Sequence, residues 1–560
     1  MNTEQINLSP QYHSIPILSP NSLSMHRCLL VEDILNIIFD YISPVHPLSL
    51  FSTNPHLWPQ PEQQDLSSLA NIALTCRALS EPALDRLWSE LYGLCPLLRL
   101  FPEDAWERHA EAGYMRFANF TNEFVFLREL QEGDWTRFNH YAKKVRVQNI
   151  SFPTSASRTP SAYLEPALRV LSRHGPTSGL LPQLHSLKWD CNALWEMHYF
   201  SLFVSPTITA LDFTLRQVSI TDGETCLRDF LPSIPASFPK LHTFGVTAIA
   251  EERFPPLLLP SFPITEQSFE SLTALHIHAQ LPSPSALETI GSMPRLETLA
   301  IDIPTFPTPS FTPESLCFSS LRELYLIATE GGRMAASFID ALRTVKLKAL
   351  TIESCVGLTH TDTLLLCRSV SRFRALLTFA LFEVAYGSRA HTSDAFSVEV
   401  FEPIFHLKTI TALSIDVFKF AICDADLTTI ASSFPALRVL SIACSSFNSS
   451  MTLHGMSALA EHCPHLSSLV LGYLDTEIEP IAPQSKTKAQ NFSLSYFESE
   501  SEIEGDPEYV ASVLAAWFPR LRTVACRYLD VDDKWGRVQD LLMASPGSLG
   551  LSSPSCDADR

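Results

Sequence analysis

Hydrophobic and polar positions along the chain follow one returning phrase. An apolar residue stands at position 1, two spacers follow, then an apolar residue at position 4, one spacer, and another at position 6. A proline often stands two places ahead of it. The phrase reads Pro182-x-Leu184-x-x-Leu187-x-Trp189, Pro239-x-Leu241-x-x-Phe244-x-Val246 and Pro294-x-Leu296-x-x-Leu299-x-Ile301. It returns as Pro435-x-Leu437-x-x-Leu440-x-Ile442, Pro464-x-Leu466-x-x-Leu469-x-Leu471 and Pro519-x-Leu521-x-x-Val524-x-Cys526. Copies without the proline centre on Leu211, Leu275, Leu324, Leu350, Phe379 and Leu413, and successive copies lie 24 to 34 residues apart. One gap of 55 residues, Leu469 to Val524, accommodates a degenerate unit near Leu494 and Tyr496. Self-similarity at this period predicts a solenoid, an architecture that usually offers a binding surface.

Positions 4 and 6 share one face of a strand, because side chains alternate with a period of two. Between phrases the spacing turns helical, as in Leu427-x-x-Ile430-Ala431 and Met456-x-x-Leu459-Ala460. The predicted class is therefore α/β, built of strand, turn and helix units. Helices are about 10 Å across and strands about 4.8 Å apart, so stacking such units curves the array with strands concave and helices convex.

Ahead of the array, residues 28–94 read as helical. Leu30, Ile34, Leu35, Ile38, Phe39 and Ile42 follow the spacing of an amphipathic helix. A proline-rich interruption at 43–64 predicts a loop. Helical spacing resumes at Asp65, placed as an N-cap, with Leu66, Leu69, Ala73, Cys76 and Leu79, and a further run carries Leu84, Leu87, Trp88 and Leu91. Residues 95–139 read as a helical, aromatic linker. Val145, Val147 and Ile150 predict the first strand of an array spanning 140–544. The acidic stretch 498–508 reads as a solvated insertion, since like charges resist packing. Residues 1–27 and 545–560, rich in Ser and Pro, are expected to be a disordered leader and tail.

Composition narrows the field. At 560 residues the chain exceeds a single compact core. Its hydrophobic fraction of 46% supplies ample material for burial. No apolar run reaches the roughly 20 residues that cross a bilayer, and the N-terminus lacks the basic start and apolar centre of a secretory signal. The thirteen cysteines are never closer than twelve residues, which excludes a local C-x-x-C knuckle and fits small core residues of a reduced compartment. A formal net charge of −20 argues against broad nucleic-acid or anionic-membrane binding, although a local basic patch escapes such a count. The expected location is the cytoplasm, the nucleus or both.

Two resemblances follow. Leu30-Val31-Glu32-Asp33-Ile34-Leu35, then Ile38-Phe39 and Ile42, then Leu69-Ala70-Asn71-Ile72-Ala73-Leu74-Thr75-Cys76-Arg77, and finally Leu87-Trp88, together resemble an F-box. Val31 stands where that family has proline, and the 43–64 interruption is a long insertion. The array resembles leucine-rich repeats, nearest the cysteine-containing subtype, through Leu350-x-Ile352-x-x-Cys355-x-x-Leu358-Thr359 and Leu459-Ala460-x-x-Cys463-Pro464-x-Leu466-x-x-Leu469-x-Leu471. Other repeats lack that cysteine. The pairing implies a non-catalytic substrate receptor of a cullin–RING ubiquitin ligase, with a Skp-type adaptor and its cullin scaffold as partners and a protein client on the repeats. It places adaptor docking on Leu30, Ile34, Leu35, Ile38, Phe39, Leu69, Ala73, Cys76 and Trp88. The other reading is a repeat scaffold without a ligase, the helical segment being a cap.

No phosphate-binding, dinucleotide, nucleophile-elbow or H-E-x-x-H motif occurs, so no enzyme activity and no cofactor are expected. His276-x-His278 is the nearest thing to a metal pair. Both histidines are expected on the concave face, yet two ligands fall short of the four of a closed zinc site, so no metal is expected. Position 7 of the phrase is Asp190, His278, Asp302, Glu353 and Asp416 in five repeats, with Arg527 near the end. Adjacent strands bring these into one column. With His276, they form the candidate client surface, an acidic one suited to a basic segment.

Overall fold

The computed structural model describes residues 32–42, 63–110, 122–150, 164–176, 179–191, 194–216, 220–249, 269–279, 284–303, 316–329, 331–343, 346–384, 396–418, 420–443, 450–476, 490–526 and 533–544. These fall into two compact units, one holding 32–42 and 63–90, the other everything described from Leu91 onward. The expected leader, the tail, Leu30, Val31 and Arg527 lie outside the described residues, as does nearly all of the proline-rich interruption.

The first unit is three helices: α1 (Glu32–Ile42), α2 (Gln63–Thr75) and α3 (Arg77–Ser89). α2 begins two residues before Asp65, so that residue lies inside the helix and is no cap. Cys76 takes an extended conformation (φ −157°, ψ 158°) and divides α2 from α3. Leu35 and Phe39 of α1 meet Leu69 of α2 and Ala83 of α3 in a small buried core, with Ile42, Ile72, Ala73, Leu79 and Leu87 packed around it. Leu35 and Phe39 are one helical turn apart, which puts both on the inner stripe of α1.

The second unit is organised by one sheet of fifteen strands in which spatial order follows chain order. The strands are Glu90–Tyr92, Val147–Ile150, Ser186–Cys191, Ala210–Arg216, Thr243–Ile249, Ala274–His278, Thr298–Asp302, Glu323–Ala328, Ala349–Ser354, Thr378–Glu383, Ala412–Asp416, Val439–Ala443, Ser468–Leu471, Tyr496–Ser499 and Thr523–Cys526. From Val147 on, neighbours pair in parallel. The register aligns the phrase with itself: Leu187, Leu211, Phe244, Leu275, Leu299, Leu324, Leu350 and Phe379 are successive partners at position 4. All of these are buried, as are the position 6 residues beside them. This is the α/β, parallel-sheet repeat array that the phrase predicts.

The proline has a mechanical role. Phe238, Phe434, Cys463 and Phe518 end the helices before four phrases with φ near −125° and ψ near 70°. Each is followed by proline, which disfavours helical backbone at the residue before it. Each also accepts a hydrogen bond from the backbone N–H three residues on, at Leu241, Leu437, Leu466 and Leu521. The result is a turn with proline second, the position whose φ proline presets. One residue thus stops a helix, fills the core and launches the next strand.

Four expectations change. The array starts before Val147: Glu90–Tyr92 lies beside Val147–Ile150, and Gln148 Nε2 donates to Leu91 O and Gly93 O. Residues 95–139 are not a helical linker, because Trp106–Ala110 and Asn122–Phe126 form an antiparallel hairpin. Its aromatic residues Trp106, Phe124 and Phe126 join Phe101, Trp135 and Phe138 in one ring cluster. The acidic stretch 498–508 is not an insertion: Glu498 and Ser499 belong to a strand paired on both sides, and Pro507–Trp517 is a helix. This is the degenerate unit of the long gap. It lacks the proline, and Asn491 shapes its turn by accepting from the Ser493 and Leu494 N–H groups while donating to Cys463 O. Lastly, not every connection is an α-helix, since Leu194–Phe203 and Val398–Ile404 are 3-10 helices.

Candidate functional site

In the three-helix unit, the stripe of α1 to one side of Leu35 and Phe39 is also apolar. Ile34, Ile37 and Ile38 recur at the i, i+3, i+4 spacing of one face and stay 37%, 65% and 36% exposed. Leu66 and Leu74 of α2 are exposed as well. An amphipathic helix on a finished surface turns polar residues outward, so an α1 apolar on two faces marks an unfilled contact. Covering the three isoleucines would contribute about 2 to 4 kcal/mol from the area removed from water.

This geometry divides the nine expected docking residues. Leu35, Phe39 and Leu69 are sealed in the unit's own core, with 4%, 2% and 0% exposure, and are not available to a partner. Ala73 and Trp88 are half-buried, and Cys76, Ile34 and Ile38 are exposed. Ile37, Leu66 and Leu74 were missed. The signal for Ile37 was present: an α1 with isoleucine at 34, 37 and 38 cannot bury all of them along with Leu35 and Phe39.

In the repeat unit, positions 5 and 7 lie on the sheet face away from the buried leucines. Six expected client residues sit there, but they do not make an open acidic column. At position 7 the strand partners run Asp302, Ile327, Glu353, Phe382 and Asp416, so two apolar residues interrupt the carboxylates. Asp302 is 2% exposed, and its Oδ1 lies 2.6 Å from His278 Nδ1 on the neighbouring strand. Burial pushes the Asp302 carboxyl above the usual carboxylate range, and the His278 contact offsets part of that rise. Glu353 Oε2 accepts a hydrogen bond from the Tyr325 hydroxyl. Burial pushes the nearby Cys355 thiol up to about 12, with Glu353 and Asp302 adding to it. Asp190 and Asp416 are half-buried.

His276 is buried, so the two histidines are not both surface contacts. Beside it, the Asp212 carboxylate lies over Gly245, where a Cβ would come 2.6 Å from Oδ1. Lys188 Nζ reaches the same carboxylate at 3.9 Å. The physical reason for these departures is lateral: in a parallel sheet each polar side chain has neighbours about 4.8 Å away on both sides and satisfies itself against them. Among the described residues, no group of three or more His, Cys, Asp or Glu is placed to hold a metal ion, and no helix is long and apolar enough to cross a membrane.

No family model and no curated protein matches this sequence. Among solved structures, the chain is similar to the crystal structure of the Rad7 and Elc1 complex of yeast at 14% identity and a TM-score of 0.31, covering 65% of this chain and 83% of that one. It is also similar to LegL7, a leucine-rich repeat-containing protein of Legionella pneumophila, at 11% identity and a TM-score of 0.28, covering 69% of this chain and 96% of that one.

Proposed function

We propose that the chain is a non-catalytic recognition subunit of a cullin–RING ubiquitin ligase, acting in the cytoplasm or nucleus. In this reading α1 to α3 grip a Skp-type adaptor and the repeat array holds a protein client. Its contribution is proximity: it raises the effective concentration of a client lysine at the ligase's catalytic end. The observation that carries the reading is the exposed stripe Ile34, Ile37 and Ile38, on a helix whose other face already supplies the core. A small helical unit that leaves this much apolar surface uncovered is suited to a partner helix.

Co-purification of the full chain with the adaptor tests it. Ile34→Asp with Ile37→Asp should abolish capture while the melting temperature stays near that of the parent. Leu35→Ala should instead lower the melting temperature, because it opens the core. Capture that survives the double substitution, or that never occurs with the parent, removes the ligase reading. A repeat scaffold whose helical unit caps the chain would then remain.

A further inference from the structure

The parallel sheet separates charge by strand end. At position 2, just before each strand, consecutive units are linked by backbone hydrogen bonds, as from Lys348 N to Arg322 O and from Leu377 N to Lys348 O. That row carries Arg146, Arg322, Lys348, Arg438 and Arg522 against one carboxylate, Glu297. The turns leading into it add Lys240, Arg295, Lys346, Arg374 and Arg520 against Glu270, all exposed. Position 7, about 17 Å further along the strands, holds Asp190, Asp302, Glu353 and Asp416 and, among the described residues, no Lys or Arg. A chain of net charge −20 has therefore gathered cations along one rim of its sheet.

The two rims also differ in how far their charges are engaged. Asp302 and Glu353 are held by His278 and Tyr325. On the basic rim, Arg322 makes a 3.5 Å pair with Glu297, with both side chains about half exposed, a contact that a partner exchanges at little cost. Among the described residues the Arg295, Lys348 and Arg374 side chains make no hydrogen bond or ion pair. Exposed cations along one edge of the sheet, lacking internal partners, make a surface complementary to anions.

We propose that this rim, centred on Arg295, Lys348 and Arg374, is a docking surface for an acidic, extended polypeptide segment lying across the strand starts. Such a segment meets cations on successive turns, whose strands are about 4.8 Å apart. A protein segment is favoured over nucleic acid because the intervening position 2 residues are His185, Thr209, His242, Thr273, Leu377, Thr411, Ser467 and Ser495, with no Phe, Tyr or Trp among them on which bases stack. The excess acid elsewhere also repels a polyanion of high charge density. The inference does not depend on adaptor capture, since the rim lies wholly within the repeat unit.

Fluorescence anisotropy of the full chain with a labelled Asp/Glu-rich peptide tests it, at low and at physiological salt. The parent should bind, more weakly as salt rises. Arg295→Glu, Lys348→Glu and Arg374→Glu together should weaken binding at least about tenfold at low salt. Alanine at the same three positions should lower it less, with an unchanged melting temperature showing that the fold survives. Asp190→Lys with Asp416→Lys, on the opposite rim, should not weaken it. Binding untouched by either triple substitution overturns the proposal. So does equal loss in the opposite-rim variant, or tighter binding of single-stranded RNA than of the peptide through the same residues.

Discussion

His278 Nδ1 and Asp302 Oδ1 stand 2.6 Å apart on neighbouring parallel strands, on the face of the sheet turned away from the leucine core. The carboxylate is almost fully buried there, and its second oxygen has no hydrogen-bond partner among the described residues. A residue expected to meet a client is instead consumed by its neighbour.

A carboxyl whose folded pKa is raised holds its proton more tightly in the folded chain than in the unfolded one. Its protonated form stabilises the fold at low pH, and that contribution is lost as pH rises through the raised value. Asp302→Asn keeps the shape and removes the buried charge. The variant should melt at a higher temperature than the parent near neutral pH, and the gain should shrink as pH falls toward the ordinary value of 3.8. Thermal scans across pH measure this, and a lower melting temperature at neutral pH would show that the His278 pairing outweighs the cost of burial.

Phe434 ends one helix, fills the core and starts the turn into the next strand, at 0% exposure. Phe434→Ala should cost about 3 to 5 kcal/mol in denaturant unfolding, the range for deleting a buried aromatic side chain. Leu377 directly follows the corresponding turn, Phe373 to Leu376, and is 38% exposed, so Leu377→Ala should cost less than about 1 kcal/mol. Equal costs at the two positions would contradict the division between the buried turn residue and the exposed one after it.

Gln539, on the helix Lys534–Ala544, covers the last strand. Val524 N donates to its Oε1 at 2.5 Å, and its Nε2 donates to Arg522 O. The side chain supplies what a sixteenth strand would. Open strand edges invite pairing with other chains. Gln539→Ala should destabilise the chain by about 1 to 2 kcal/mol, speed amide exchange at Val524, and promote association visible by light scattering. Unchanged exchange at Val524 would show that the cap is dispensable.

Position 4 and position 6 residues from Leu187 to Leu471 were legible because a period-two strand with one buried face leaves its pattern in hydrophobicity alone. The proline-marked turns were equally legible, since proline acts on the backbone beside it. Ile34 and Leu35 looked alike, because both are apolar at helical spacing and only the packing of α1 against α2 and α3 separates the buried one from the exposed one. The hairpin flanking residues 111–121 was missed for a similar reason: its aromatic residues have no period and take their places from one another.

Sequence alone determined the repeat, the strand register and the α/β class, since each rests on local periodicity and on turn chemistry within a few residues. Tertiary structure alone decided which polar side chains remain accessible. Asp302 and Glu353 are tied to His278 and Tyr325, residues 24 and 28 positions away in the chain. The basic rim likewise exists only because stacking brings Arg295, Lys348 and Arg374 to one edge of the sheet, with Arg322 between the first two. Charge and accessibility depend on lateral neighbours in the sheet, and no local pattern encodes those.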